Sequence, residues 1–200
     1  MINQPAHFML SQYQRLIEIS RDLASTLDLD VLLQRIVDAA ADLCDGEAAS
    51  ILLYDENRNQ LFFQASTNLD TPLMRGLIVP VDNSISGRII QNREPIIVED
   101  AQKDPRFFGN IQKETSFHTA SLLGVPMIAK EKIIGVLEVL NKRDGPFTLD
   151  DQEILMTLGA QAAVAIENAR LFQQSDLIAE LVHELRTPLA SLNAATHMLL

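Results

Sequence analysis

The run His183-Glu184-Leu185-Arg186-Thr187-Pro188-Leu189 gathers the side chains of this 200-residue chain best suited to group transfer. Phosphorylating a histidine requires a neutral imidazole with one nitrogen exposed. Free imidazole titrates near pH ~6.5, so that form is abundant around neutrality. Glu184 stands beside His183, and a carboxylate that accepts from the second ring nitrogen orients the ring and raises its nucleophilicity. Thr187 follows four residues later, on the same face of a helix, where a hydroxyl can position a water for dephosphorylation. Pro188 cannot donate to the carbonyl of Glu184 and clashes with it, which predicts a bend beside the acceptor. The plainer reading, a solvated histidine on a helix face, gives these neighbours no role.

Other chemistries fit poorly. His183 and His197 lie fourteen residues apart, ~21 Å along a helix, and cannot share a metal ion; no metal site is expected. The single cysteine, Cys44, has no internal disulfide partner and closes an apolar helical stripe, so it reads as a small core residue. No two of the eight glycines lie closer than ten residues. G-x-G therefore never occurs, which excludes a Rossmann fingerprint and a P-loop and leaves any nucleotide triphosphate to be held elsewhere. A net charge of −11 opposes phosphate neutralisation, so nucleic acid is not an expected partner. The start MINQPAHFML lacks the basic region and cleavage site of a secretory signal, and no apolar run suggests a membrane span. A cytoplasmic protein is expected.

The elements that must carry these residues follow from periodicity. Leu16, Ile19, Ser20, Leu23 and Leu27 predict a helix over 10–26. A second helix starts with Asp30 as N-cap, carries Leu33, Ile36, Val37, Ala40, Leu43 and Cys44 on one stripe, and stops at Gly46. The period then changes to two. Strands are expected at 48–55, 61–66, 77–81, 95–99, 121–129 and 133–141, with Lys130-Glu131-Lys132 as the last tight turn. Asn83 or Ser84 caps a short helix through Ile90, and Asp104-Pro105 opens another through Phe107 and Phe108. From Thr148 or Asp150 a single helix runs to the C-terminus. The result is an α+β class: a six-stranded sheet with flanking helices and a long C-terminal helix entering a coiled-coil or bundle segment. Ile178, Val182, Leu185, Leu189, Leu192, Thr196 and Leu199 are spaced 4,3,4,3,4,3, as are Leu158, Ala162, Ala165, Ala169 and Phe172 upstream. The two seams are out of phase across Phe172–Ile178, so a packing shift or a local rewinding is expected near 173–176.

The residues His183 to Leu189 resemble the phospho-acceptor box of sensor histidine kinases, and the likeness covers 175–200, the first helix of their dimerisation and phosphotransfer domain. Upstream, Asn141-Lys142, Phe147 and Asp151 resemble the N-K-F-D signature of GAF domains, although Gln152 stands where that family usually has Glu. Asp28-x-Asp30-x-Leu32-Leu33, the segments ASILLYD, VPVDNSISGRII and DPRFF, and SLLGVPM extend this likeness over 12–172. It implies a GAF-like antiparallel sheet, terminal helices on one face and a ligand pocket on the other, with Lys142 and Asp151 clamping the last strand to the long helix.

Against cyclic-nucleotide-binding GAF domains, Ser50, Thr115, Thr119 and Glu138 match polar pocket positions, Gln112 stands where an Asp would read the base, and Ser66 and Thr67 fall near an aromatic and an acidic contact. A cyclic nucleotide or another small molecule is the implied ligand, and its phosphate would need helix-start amides such as those at 84–86; an unliganded pocket filled by side chains is the alternative. A bilin would need a cysteine near the pocket, and haem would rest on His118 alone; neither is expected. The combined expectation is a polar lead at 1–11, a GAF sensor at 12–172 and the start of a phosphotransfer domain at 173–200. The implied activity is phosphorylation of His183, oriented by Glu184, with transfer to a response-regulator receiver domain and Thr187 serving dephosphorylation. ATP and magnesium would act only through an ATP-binding kinase domain, the protein's own or a separate one, and the terminal helices would form a homodimer. The alternative is a stand-alone GAF binding or dimerisation module without kinase activity.

Overall fold

The computed structural model describes the backbone of residues 4–67, 74–109 and 117–198, and side chains within 14–67, 74–109 and 117–183. Helix α1, Gln4–Ser25, sets Leu16 and Leu23 into the core, while Leu27 lies beyond its end and is exposed. Helix α2, Leu29–Leu43, starts two residues earlier than expected: the cap is Asp28, whose carboxylate accepts from the Val31 amide at 3.0 Å. Asp30 instead sits in the first turn, favourable to the helix dipole, and pairs with Arg75. Gly46 does not end the helix either. Asp45 makes the turn at φ 50°, and Gly46 already opens strand β1, because a Cβ there would lie 2.2 Å from Val139 Cγ1.

Strands β1 (Gly46–Asp55), β2 (Gln60–Ser66), β3 (Ile78–Pro80), β4 (Ile96–Val98), β5 (Leu122–Ala129) and β6 (Lys132–Lys142) form one antiparallel sheet in the order β3-β2-β1-β6-β5-β4. Lys130 and Glu131 both take positive φ, the conformation whose twist suits a two-residue hairpin between β5 and β6. Helix α3, Ile85–Asn92, is capped by Ser84, and a 3₁₀ turn spans Ala101–Lys103. The second helix expected at Asp104-Pro105 is absent. Asp104 turns back on its own backbone, accepting from the Arg106 amide at 2.8 Å and from the Arg106 guanidinium at 2.9 and 2.6 Å. Such a local bond competes with helix, and Pro105 suits the turn.

Each face of the sheet has its own core. Ala49, Ile51 and Leu53 of β1 and Leu137 and Val139 of β6 pack against α1, α2 and helix α4, Leu149–Met198. Ala48, Leu52, Val136 and Leu140, the alternate residues, face α3 and the loops. Helix α4 is continuous for 50 residues, about 75 Å, through 173–176 and through Pro188. Its N-terminus is knotted to the sheet. Lys142 at the end of β6 donates to Asp151 at 2.7 Å and to the carbonyl of Cys44 at 3.2 Å, with its ammonium 5.7 Å from the Phe147 ring centroid. Asp151 also accepts from the amide and hydroxyl of Thr148, at 2.7 and 2.9 Å, and donates its own amide back to that hydroxyl, a capping box. The Lys142 and Asp151 side chains are only 12% and 10% exposed, so this is no ordinary surface pair.

Continuity resolves the phase break by a change of face. Leu158, Ala162, Ala165 and Ala169 are buried in the sheet-side core. Val164 and Leu171 are exposed, and Ile178, exposed too, follows them at the same seven-residue interval. The downstream seam thus extends an exposed stripe lying one residue, about 100° of helix, away from the buried one. No rewinding is needed.

Removing one partner of a buried pair strands the other charge. Lys142→Met should lower the unfolding free energy by about 3–5 kcal/mol, read from the urea midpoint at unchanged slope, and adding Asp151→Asn should recover part of the loss.

Candidate functional site

The pocket-side face carries a row of residues set by strand register. Ser66 of β2, Ser50 of β1, Glu138 of β6 and Gly124 of β5 are successive cross-strand partners. Ser50 and Glu138 are 2% and 6% exposed. The carboxylate accepts from Ser86 of α3 at 2.5 Å on one oxygen and from Ser50 at 3.3 Å on the other. Gly124 leaves this row open: a Cβ there would lie 2.5 Å from Ile89 Cδ1 of α3. Burial pushes the Glu138 carboxyl above the usual carboxylate range, partly offset by the Ser86 and Ser50 hydrogen bonds.

Above the row lies a cavity of about 50 Å³, lined in part by Ser50, Ser86, Thr119 and Glu138. Phe63, Phe107, Phe108 and Phe117 supply its aromatic walls. The Asp104 turn delivers Phe107 and Phe108, and the Phe107 amide donates back to the Asp104 carbonyl at 3.0 Å. Ser84 accepts from the Gly87 amide at 2.9 Å and donates to the Pro80 carbonyl, fixing the start of α3.

Asn141 braces the opposite rim. Its side-chain oxygen accepts from the Ala120 and Ser121 amides at 2.7 and 3.2 Å, and its amide group donates to the His118 carbonyl at 2.7 Å and to Glu47 at 2.8 Å. Gln102 donates to the Thr119 carbonyl at 2.8 Å from the other side. The N-K-F-D residues therefore divide their work: Asn141 holds the pocket rim, and Lys142, Phe147 and Asp151 form the knot at α4.

Three of the five ligand residues expected from sequence, Ser50, Thr119 and Glu138, line this cavity together. Gln112 and Thr115 lie outside the described residues. Ser66 is buried in the same row, and Thr67 accepts from the Ala49 amide at 2.8 Å. His118 is not among the lining residues, and Cys44, buried at the knot, has its thiol pushed up to about 12, chiefly by burial and then by the Asp151 charge. Sequence reasoning missed the phenylalanines and the role of Ser86. The period-two pattern of β2 around Phe63 was the available sign; Phe107, Phe108 and Phe117 depend on loop paths that periodicity does not encode.

His183 lies on α4, exposed, beyond the last residue that packs on the domain. The backbone at 184 and 187 is helical, while the Glu184 and Thr187 side chains fall outside the described residues.

The raised Glu138 carboxyl makes folding favour its protonated form. That contribution is fully present below the ordinary glutamate range and is lost as pH rises through the higher folded-state value. Glu138→Gln mimics the protonated acid. Its melting temperature should exceed that of the unaltered chain at pH 8, with the gain shrinking toward pH 4 in a thermal-melt series.

Residues 26–167 match the family model of the GAF domain. A cGMP-specific 3',5'-cyclic phosphodiesterase of Drosophila mojavensis is 30% identical over 184 residues, covering 84% of this chain and 16% of that protein. The chain thus spans about a sixth of that relative's length. The GAF domain of an Acinetobacter phosphoenolpyruvate-protein phosphotransferase is similar at a TM-score of 0.70 and 28% identity, over 80% of this chain and 95% of that one. The GAF domain of a two-component sensor histidine kinase from Bacillus halodurans shares the fold at a TM-score of 0.55 and 23% identity, over 69% and 95%. With the family model matching most of the sequence and the sheet, helices and pocket arranged as described, the chain belongs to the GAF domain family.

Proposed function

We propose that residues 12–172 are the sensor of a two-component histidine kinase and that 173–200 begin its phosphotransfer domain. In this reading His183 is the phospho-acceptor, Glu184 orients its ring, Thr187 positions the water for dephosphorylation, and a response-regulator receiver domain takes the phosphoryl group. ATP and magnesium are held by an ATP-binding kinase domain in the same or another chain, and the protein works in the cytoplasm. Among the described residues, no helix is long and apolar enough to cross a membrane.

The observation that carries the reading is the path of α4. One unbroken helix starts at the Lys142–Asp151 knot, packs on the sheet as far as Ala169, and then stands clear with every described residue from Leu171 to His183 exposed. Leu171, Phe172, Leu177, Ile178, Leu181 and Val182 are each 44–61% exposed. A lone helix projecting into water with that much apolar surface is marginal. A second copy packing along Val164, Leu171, Ile178 and Val182 would cover it, making a homodimer in which His183 flanks the seam.

The GAF pocket is the sensory site, for a small ligand. A cyclic nucleotide needs far more than the cavity of about 50 Å³, since ligand pockets run from about 300 to 1,000 Å³; it would enter only if the wall carrying Phe107, Phe108 and Phe117 moved outward. A ligand that shifts this rim acts on Asn141, and through the adjacent Lys142 on the start of α4. A small rotation of that helix then changes access to His183.

The test is phosphoryl transfer. Incubated with labelled ATP and the ATP-binding domain of a sensor histidine kinase, the chain should gain acid-labile, base-stable phosphate, and His183→Gln should lose at least nine-tenths of it. Equal labelling of the variant, or none of the unaltered chain, contradicts the assignment.

A further inference from the structure

The cavity has an unusual charge inventory. Among the described lining residues Glu138 is the one ionisable group, and no lysine, arginine or histidine faces it. A carboxylate offers about four acceptor positions, and Ser50 and Ser86 occupy two of them. The same cavity is lined by Phe63, Phe107, Phe108 and Phe117. Aromatic faces attract a cation within about 6 Å of the ring centroid, more strongly where water is excluded. Among the described lining residues, an anion entering here would meet a carboxylate and no cation, in a chain of net charge −11.

We propose that this cavity binds a small alkylammonium ion, its N–H donated to Glu138 and its alkyl groups against the phenylalanine rings. The assignment rests on the reading of the cavity as the domain's ligand site, and it names the chemistry of the ligand. Size agrees: about 50 Å³ admits only a few non-hydrogen atoms, on the scale of methylammonium to trimethylammonium. Energetics agree as well. A buried carboxyl held only by two hydroxyls favours its neutral form, and an ammonium supplies the missing opposite charge. Binding therefore ionises Glu138 and, where it was protonated, releases that proton to solvent. No covalent bond to the ligand forms. Since no other described lining group titrates, affinity for a cation should rise with pH through the raised titration range of Glu138 and then level off.

The experiment titrates the 200-residue chain with trimethylammonium chloride, over a sodium chloride control, by calorimetry and by the shifts of the cavity-lining Ile85, Leu122 and Leu140 methyl resonances. Tetramethylammonium serves as a cation without a proton of its own, acetamide as a neutral N–H donor, and cGMP as the larger anion. Trimethylammonium should bind and move those resonances, weaken at least tenfold in Glu138→Gln, and weaken severalfold in Phe117→Leu. Tetramethylammonium should show the same rise in affinity with pH. Acetamide or cGMP binding in preference to the ammonium ions, unaffected by Glu138→Gln, would overturn the ammonium assignment and leave the cavity a ligand site. Unmoved resonances with all four probes would overturn both.

Discussion

A cation and a carboxylate that are nearly excluded from water join the sensor body to its long helix. Lys142 sits at the end of the central strand β6, and Asp151 lies in the first turn of α4; their 2.7 Å pair is closed by the Cys44 carbonyl and the Thr148 capping box. Burial makes the pair a constraint more than a source of net stability, because its Coulomb energy must offset the desolvation of both ions. What it secures is direction. Once the first turn of α4 is fixed against β6, the rotational phase of the entire helix follows, including which residues face the sheet and which remain outside. The free thiol of Cys44 is held inert at the same spot.

From that phase come two stripes with different tasks. Leu158, Ala162, Ala165 and Ala169 are small or aliphatic and lie close against the sheet-side core, where alanines let the helix approach. Val164, Leu171 and Ile178 face outward and recur at seven residues, a period that an isolated domain has no use for. The opposite face of the sheet is organised around one buried carboxyl. Glu138 reaches α3 through Ser86 and β1 through Ser50, so the pocket's polar centre lies on the strand that ends in Lys142. Pocket and long helix are thus joined through the last residues of β6, from Glu138 to Lys142.

Much of this was legible in the sequence. Strand periodicity places all six strands, the N-K-F-D residues mark the clamp, and Ser50 and Glu138 fall together because register is fixed by alternation across buried strands, while Thr119 joins them from the loop before β5. The misses share a cause. Asp28 and Asp30 are both competent caps, and only the backbone decides between them. Asp104 has the residue type of a helix cap, yet its side chain closes a turn with Arg106. The four pocket phenylalanines come from three segments, β2, the adjacent pair Phe107-Phe108 and the stretch at Phe117, and no spacing rule joins them. The apparent break between the two seams arose because spacing records a period without recording which face of a helix is already covered.

The proposed homodimer requires one continuous α4 whose exposed stripe, Val164 through Leu171 to Ile178, meets the same stripe of a second copy. Single cysteines placed in turn from 164 to 183 and oxidised under mild conditions measure that face directly, since buried Cys44 stays silent. Cross-linking between copies should peak at 164, 171 and 178, seven residues apart. Maxima at 165 and 172, or no cross-linked product anywhere along the helix, would contradict it.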